Sequence, residues 1–341
     1  MALLFFDGFD DAQNNMVHYI RGTNFNGTKG ILCPASGSRT SGKFSGYAIY
    51  GSGFFIELEN SVSTIFIALD VKPDAYRLGY SEIIRFINTG FAVVWFFYTG
   101  IAIYDNIGNM VASKSIAWIP TAFNWLSIRY TVSSTSGLIE VKDAHGDVIV
   151  SYSGNTRGSA TSDNVLQILK NYGTYTACHV DSIYVMDSSG PAPFNGHLTE
   201  TRVIQLLPNA PGDLTEWSAV GADTVLDAVR EVEGNDDNDY AFANTDGQRF
   251  LVGAEDIPAE ENNIIGVVVK SRLKRDDAGI WRVAHLVKTG GNVYESAQTP
   301  ITNAVNYLNV LHPFPNNPDT GNAWTIDEIN SLQIGMKAYL G

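Results

Sequence analysis

The chain has 341 residues, of which 45% are hydrophobic and 17% charged, with 32 glycines and a formal net charge of −14. That much apolar surface excludes a disordered tail, and the length predicts two domains. The charge is uneven. Residues 1–190 hold 12 basic and 15 acidic side chains and residues 191–341 hold 10 and 21, so the second half repels phosphate backbones and argues against a nucleic-acid partner.

The opening MALLFFDGFDD lacks a basic region and turns acidic at Asp7, which predicts no signal peptide and synthesis in a cytoplasm. The longest apolar run, FAVVWFFY at 91–98, has the length of a strand and not of a membrane span. Alternation then dominates. Phe54, Ile56 and Leu58 interleave with Phe55, Glu57 and Glu59. Ile65, Ile67, Leu69 and Val71 share a face, and so do Leu126, Ile128, Tyr130 and Val132. This is the pattern of antiparallel strands with one face on a core. Turn signals recur at Asn26-Gly27, Asn88-Thr89-Gly90, Ser136-Gly137 and His145-Gly146-Asp147. About a dozen short strands at such spacing predict an all-β jelly-roll sandwich over residues 1–190.

The stretch DSSGPAPFNG at 187–196 is rich in glycine and proline, so residues 191–200 are expected to form a short, semi-rigid linker. A smaller, acidic, β-rich module is expected over 201–341. It begins with a strand at 201–207 and a turn at 208–212. Residues 224–232 suggest one or two helical turns. Strands are predicted at 264–273, 281–287 and 303–311, followed by a proline-rich loop at 312–318. Thr325 and Glu328 have the spacing of a capping box that opens a short helix. Ile334, Met336, Ala338 and Leu340 then alternate as a closing strand.

Catalytic motifs are absent: there is no GxSxG elbow, no HExxH and no phosphate-binding glycine loop. The histidines (His18, His145, His179, His197, His285 and His312) are scattered and read as structural. A glycoside hydrolase needs two facing carboxyls, and the nearest pair on one strand, Glu57 and Glu59, reads as the solvent side of that strand. Asp236, Asp237 and Asp239, with Asp246 nearby, could ligate calcium, but they do not match the calcium-loop pattern and read as a solvated loop. Tyr47, Tyr50, Trp95, Tyr98, Tyr104 and Trp118 are candidate sugar platforms, with core positions the default. Cys33 and Cys178 show no zinc spacing, and pairing between them is open at this point. No catalytic, cofactor-binding or metal residue is assigned.

Three stretches resemble the concanavalin A-like lectin/glucanase jelly roll in its laminin-G-like branch. They are FFDGFD at 5–10, NWLSIRYTV at 124–132 with GLIEVKD at 137–143, and HVDSIYV at 179–185. The joint and the second module carry VDSIYVMD at 180–187, FNG at 194–196, LPN at 207–209, TEW at 215–217, DNDY at 237–240 and RLKRDDAG at 272–279. That run is similar to virion proteins of tailed bacteriophages. The resemblance implies a non-enzymatic structural component on the exterior of a phage particle, in its tail, its fibre assembly or as a capsid decoration. Such a protein assembles with other virion proteins, as a homo-oligomer, after synthesis in the host cytoplasm. The alternative is a module that binds host-surface glycan, and a third reading is a glycoside hydrolase. The chain lacks the paired Asp/Asn metal-and-sugar loop of lectins in the wider superfamily.

Overall fold

The computed structural model describes residues 3–7, 31–33, 45–49, 54–73, 80–96, 99–116, 122–158, 160–172, 177–230, 238–258, 263–276, 279, 281–301 and 308–341. The architecture is all-β, in two compact units, Met1–Val203 and Ile204–Gly341. Among the described residues no helix is long and apolar enough to cross a membrane.

The strands of the first unit are β1 Leu3–Asp7, β2 Ile31–Cys33, β3 Ser45–Ile49, β4 Phe54–Val62, β5 Thr64–Pro73, β6 Tyr80–Phe86 and β7 Ala92–Phe96. They continue as β8 Gly100–Tyr104, β9 Met110–Ser115, β10 Asn124–Thr131, β11 Gly137–Lys142, β12 Val148–Gly154, β13 Asp163–Tyr172 and β14 Ala177–Asp187. One antiparallel sheet runs β12-β11-β10-β5-β14-β3-β2, with β1 also paired to β14. The other runs β4-β13-β6-β7-β8-β9. This is a jelly-roll sandwich, as the alternating pattern predicts. Ile65, Ile67, Leu69, Leu126, Ile128, Ile139 and Val141 come from the first sheet, and Ile84, Phe86, Val93, Ile103, Leu166 and Ile168 from the second, into one buried cluster. Each such aliphatic side chain contributes about 2 kcal/mol on burial. The two sheets meet at Phe86 and Tyr130, whose rings stack at 3.9 Å between centroids, while the Tyr130 hydroxyl donates to the Thr156 carbonyl at 2.7 Å. At one end Asp163 is wholly buried and accepts from the Thr89 N–H and hydroxyl at 3.0 and 3.1 Å, and burial raises its pKa.

Strict alternation fails at two places, and a bulge repairs each. On β14, Val180, Ile183 and Val185 all enter the core, although Val180 and Ile183 are three apart. The register against β5 shifts between Asp181 and Tyr184, and Ser182 takes up the extra residue at φ +48°. On β6 the register against β7 shifts between Glu82 and Ile84, so Ile83 and Ile84 both point into the core.

Residues 191–200, expected as a linker, are built into the first unit. Phe194 and Leu198 are only 3% and 5% exposed. Trp125 Nε1 donates to the Leu198 carbonyl at 3.0 Å, and the Glu200 N–H donates to the Ala144 carbonyl at 3.3 Å. The apolar residues of the segment outweigh its proline and glycine content. The pairing of Cys33 with Cys178 is ruled out by the backbone. β3 lies between β2 and β14, and Cys33 pairs with Ser45 while Cys178 pairs with Ala48. At about 4.8 Å between strands and about 3.4 Å per residue, the Cα atoms sit roughly 14 Å apart, twice the reach of a disulfide.

The second unit contains β15 Pro208–Thr215, β16 Ser218–Val220, α1 Val225–Val229, β17 Tyr240–Phe242, β18 Arg249–Ala254, β19 Val267–Leu273 and β20 Trp281–Thr289. It ends with β21 Asn292–Glu295, β22 Thr299–Ile301, β23 Leu308–Phe314, α2 Ile326–Asn330 and β24 Gln333–Leu340. Its main sheet runs β15-β18-β24-β20-β21, with β22 also on β20, and β16-β17 and β19-β23 form two-stranded ribbons. Cross-strand partners Phe250, Met336 and His285, then Val252, Ile334 and Val287, share the buried face. Trp217 with Val225 and Leu226 covers one part of that face, and Val269, Phe314, Trp324 and Ile329 cover another. The opposite face also buries Leu251, Ala284 and Leu286, and carries Lys337 2.9 Å from Glu295 and Lys288 paired with Asp213.

Three expectations shift here. The strand predicted at 201–207 is irregular, and the predicted turn at 208–212 lies inside β15 instead. Its prolines are tolerated because β15 is an edge strand paired with β18 alone, with two register shifts. The loop predicted at 312–318 begins inside β23. The capping box forms as read: Thr325 accepts from the Glu328 N–H and Glu328 from the Thr325 N–H. The helix predicted at 224–232 is the single turn α1, capped by Thr224.

Left-handed backbone at Ser182 predicts an asymmetry between two substitutions. Ser182→Val, which adds branching at Cβ, should lower stability by about 1–3 kcal/mol, whereas Ser182→Gly should stay within about 1 kcal/mol of the parent in thermal and urea denaturation. Equal losses would show that the bulge is not held in this conformation.

Candidate binding face

The bulge on β6 does more than fill the core. With Ile83 and Ile84 turned inward, Glu82 and Arg85 both project from the outer face of the second sheet. Arg85 Nε donates to Glu82 Oε2 at 2.8 Å, Nη2 donates to Oε1, and Nη1 reaches the Gly90 carbonyl at 3.4 Å. Glu82 is 4% exposed, while the Arg85 side chain is 32% exposed. Across the strands, Gln167, Arg85, Ala92 and Tyr104 are successive partners, and Glu82, Val94, Ala102 and Ser113 form the adjacent row. Small side chains thus lie between an ion-paired guanidinium with an amide on one side and a phenol on the other. Glu82 and Gln167 are buried, so the partly exposed Arg85 guanidinium is the group that can donate to hydroxyl groups, and an aromatic ring can take the apolar face of a sugar.

Of the aromatics named from sequence, Tyr104 is the one whose side chain is described, half-buried on this outer face. Tyr50, Tyr98 and Trp118 lie outside the described residues; Tyr47 lies on β3 and Trp95 on β7. Glu57 and Glu59 lie on β4, with Glu57 opposite Val165. Asp236, Asp237 and His18 lie outside the described residues. Asp246 accepts the Leu340 N–H at 2.9 Å and so ties down the closing strand. Among the described residues there is no group of three or more potential metal ligands.

Two groupings escaped sequence reasoning. Asp70 and Asp181 are direct cross-strand partners on β5 and β14 and are 1% and 3% exposed. The Ser182 N–H donates to Asp181 at 2.7 Å. Carboxylates so enclosed differ from the open-cleft pair that sugar hydrolysis requires. Ser127, His197 and Glu140 also converge: Ser127 Oγ is 2.9 Å from His197 Nδ1, and His197 Nε2 is 3.0 Å from Glu140 Oε1. The order resembles a nucleophilic relay, but Ser127 is 1% exposed. His197 also packs edge-on against Phe66 at 5.5 Å, and burial lowers its pKa. The set latches residues 194–198 onto the sheet. No signal in sequence spacing brings Ser127, Glu140 and His197 together, because each sits on a different element.

No family model matches the chain, and no curated protein matches it. Solved structures with similarity include domain 4 of AbnA, a GH43 extracellular arabinanase from Geobacillus stearothermophilus, in complex with arabinotriose. It is 12% identical with a TM-score of 0.36, over 58% of this chain and 94% of that one. A carbohydrate-binding module, CBM66, from Bacillus subtilis is 9% identical with a TM-score of 0.32, over 47% of this chain and 92% of that one. The galectin LEC-6 from Caenorhabditis elegans is 12% identical with a TM-score of 0.27, over 41% and 94%. At this level of similarity no function passes from those proteins to this chain.

Arg85→Ala removes two charge-assisted hydrogen bonds from a nearly buried carboxylate and should cost about 1–3 kcal/mol in urea denaturation. Glu82→Gln with Arg85→Gln should recover part of that loss, and a double variant no better than Arg85→Ala would show that the pair does not act as a unit.

Proposed function

We propose that this chain is a non-catalytic recognition protein whose first unit binds saccharide on the outer face of its second sheet. One observation carries the proposal: Tyr104 and Arg85 are partly exposed on one sheet face and flank Ala92 between them, above a floor in which Val94 and Ala102 are buried. Binding without turnover is supported by the state of the described carboxylates. Glu82 is engaged by Arg85, and Asp70 and Asp181 are enclosed. Neither arrangement leaves a facing acid and base free to work on a glycosidic bond.

A second reading, assembly into the exterior of a tailed-phage virion, is favoured by the run from VDSIYVMD at 180–187 through RLKRDDAG at 272–279, which resembles proteins of such particles. The two readings are compatible, because a particle that attaches to a cell needs a surface that recognises it. Mass spectrometry of purified tailed-phage particles decides the second: the chain at stoichiometric copy number supports it, and its absence removes it.

For the first, an array of microbial surface glycans should yield a defined set of bound structures. Tyr104→Ala should weaken binding at least about tenfold while leaving the melting temperature nearly unchanged. A blank array, or unaltered binding by Tyr104→Ala, would overturn it. Release of reducing ends from a bound polysaccharide would replace binding by hydrolysis.

A further inference from the structure

The second unit places two histidines, one buried and one half-buried, between its main sheet and the ribbon that covers it. His285 of β20 is 1% exposed, and its Nε2 lies 2.7 Å from Ser271 Oγ on β19. His312 of β23 packs edge-on against Phe314 at 5.0 Å, and its Nδ1 is buried with no hydrogen-bond partner among the described residues. From β19 come Val269 and Ser271, while Lys270 and Arg272 alternate to the other side of the ribbon. From β23 come Val310 and Phe314. From β24 comes Met336, the cross-strand partner of His285. From the chain after β21 comes Ser296, whose hydroxyl accepts the His285 N–H at 2.9 Å. Glu295, opposite Leu286, lies on the other face of the sheet and accepts from Lys337. Among the described residues no carboxylate bears on either ring.

We infer that β19 and β23 form an acid-released flap, closed over the main sheet while both histidines are neutral and opened when either takes up a proton. A protonated His285 would place an unpaired charge in an apolar layer beside a second histidine. In an opened flap the same charge is solvated. Opening would uncover the inward apolar side chains Val269, Val310 and Phe314.

The sign follows from burial, which holds His285 down to about 4, and His312 also below its ordinary value. A histidine depressed in the closed state stabilises closure above its solvated pKa of about 6.5 and loses that contribution as pH falls toward about 4. The population of the open state should therefore rise roughly seventyfold between pH 7.5 and pH 4.5.

Hydrogen exchange of the full chain, corrected for intrinsic rates, tests this. Amides of β19 and β23 should lose protection by that factor, with the β5 and β10 amides of the first unit as the internal reference. His285→Gln, which can keep the bond to Ser271 without titrating, should flatten the response at least about tenfold. His312→Gln provides a second variant, and wild-type exchange against the internal reference stands even if neither variant folds. Parallel loss of protection in both units, or an unchanged flap down to pH 4.5, would overturn the inference.

Discussion

The first unit depends on a single constraint. Two twisted sheets must supply apolar side chains to one shared layer, and a strand can reach that layer only with every second residue. Phe86 and Tyr130 show what the constraint achieves, since their stacked rings join one sheet to the other at the centre of the cluster. β6 and β14 show how it is met when the residue order does not oblige. Each absorbs one residue in a bulge, so that Ile83 with Ile84, and Val180 with Ile183, all arrive inside. The candidate binding face is a by-product of the same adjustment. Without the bulge, Glu82 and Arg85 would not share a side of the sheet, and the bidentate pair could not form.

The second unit solves a different problem with the same chemistry. Its main sheet carries buried side chains on both faces, and the face of Phe250, His285 and Val287 is closed by several small pieces: a capped single-turn helix, a two-stranded ribbon and the segment around Trp324. Buried polar groups in such a patchwork need local partners. Trp324 Nε1 donates to the Phe314 carbonyl at 2.8 Å and Trp217 Nε1 to the Gln248 carbonyl at 3.1 Å. The histidines under the ribbon are less fully satisfied, and their environment is the most sensitive to solvent conditions.

Much of the fold was legible from residue order because alternation is a local signal. β5 and β10 read correctly from Ile65–Val71 and Leu126–Val132, and the Thr325–Glu328 box announced α2. What was not legible was decided by partners distant in sequence. Pro208 and Pro211 suggest a turn until the strand is known to lie at an edge. Gly190, Pro191, Pro193 and Gly196 suggest a tether until Trp125 is seen to bond the Leu198 carbonyl. The candidate face was legible only through Tyr104, since the alternating pattern assigns Glu82 to the side of Ile84 and not to that of Arg85.

The outer edge of β15 has a consequence for how copies of this chain can meet. Pro208 and Pro211 have no N–H to offer, and the register against β18 slips twice along the strand. An incoming strand would find an interrupted row of donors there, so the sheet of the second unit is terminated at that margin and cannot propagate by edge-to-edge stacking.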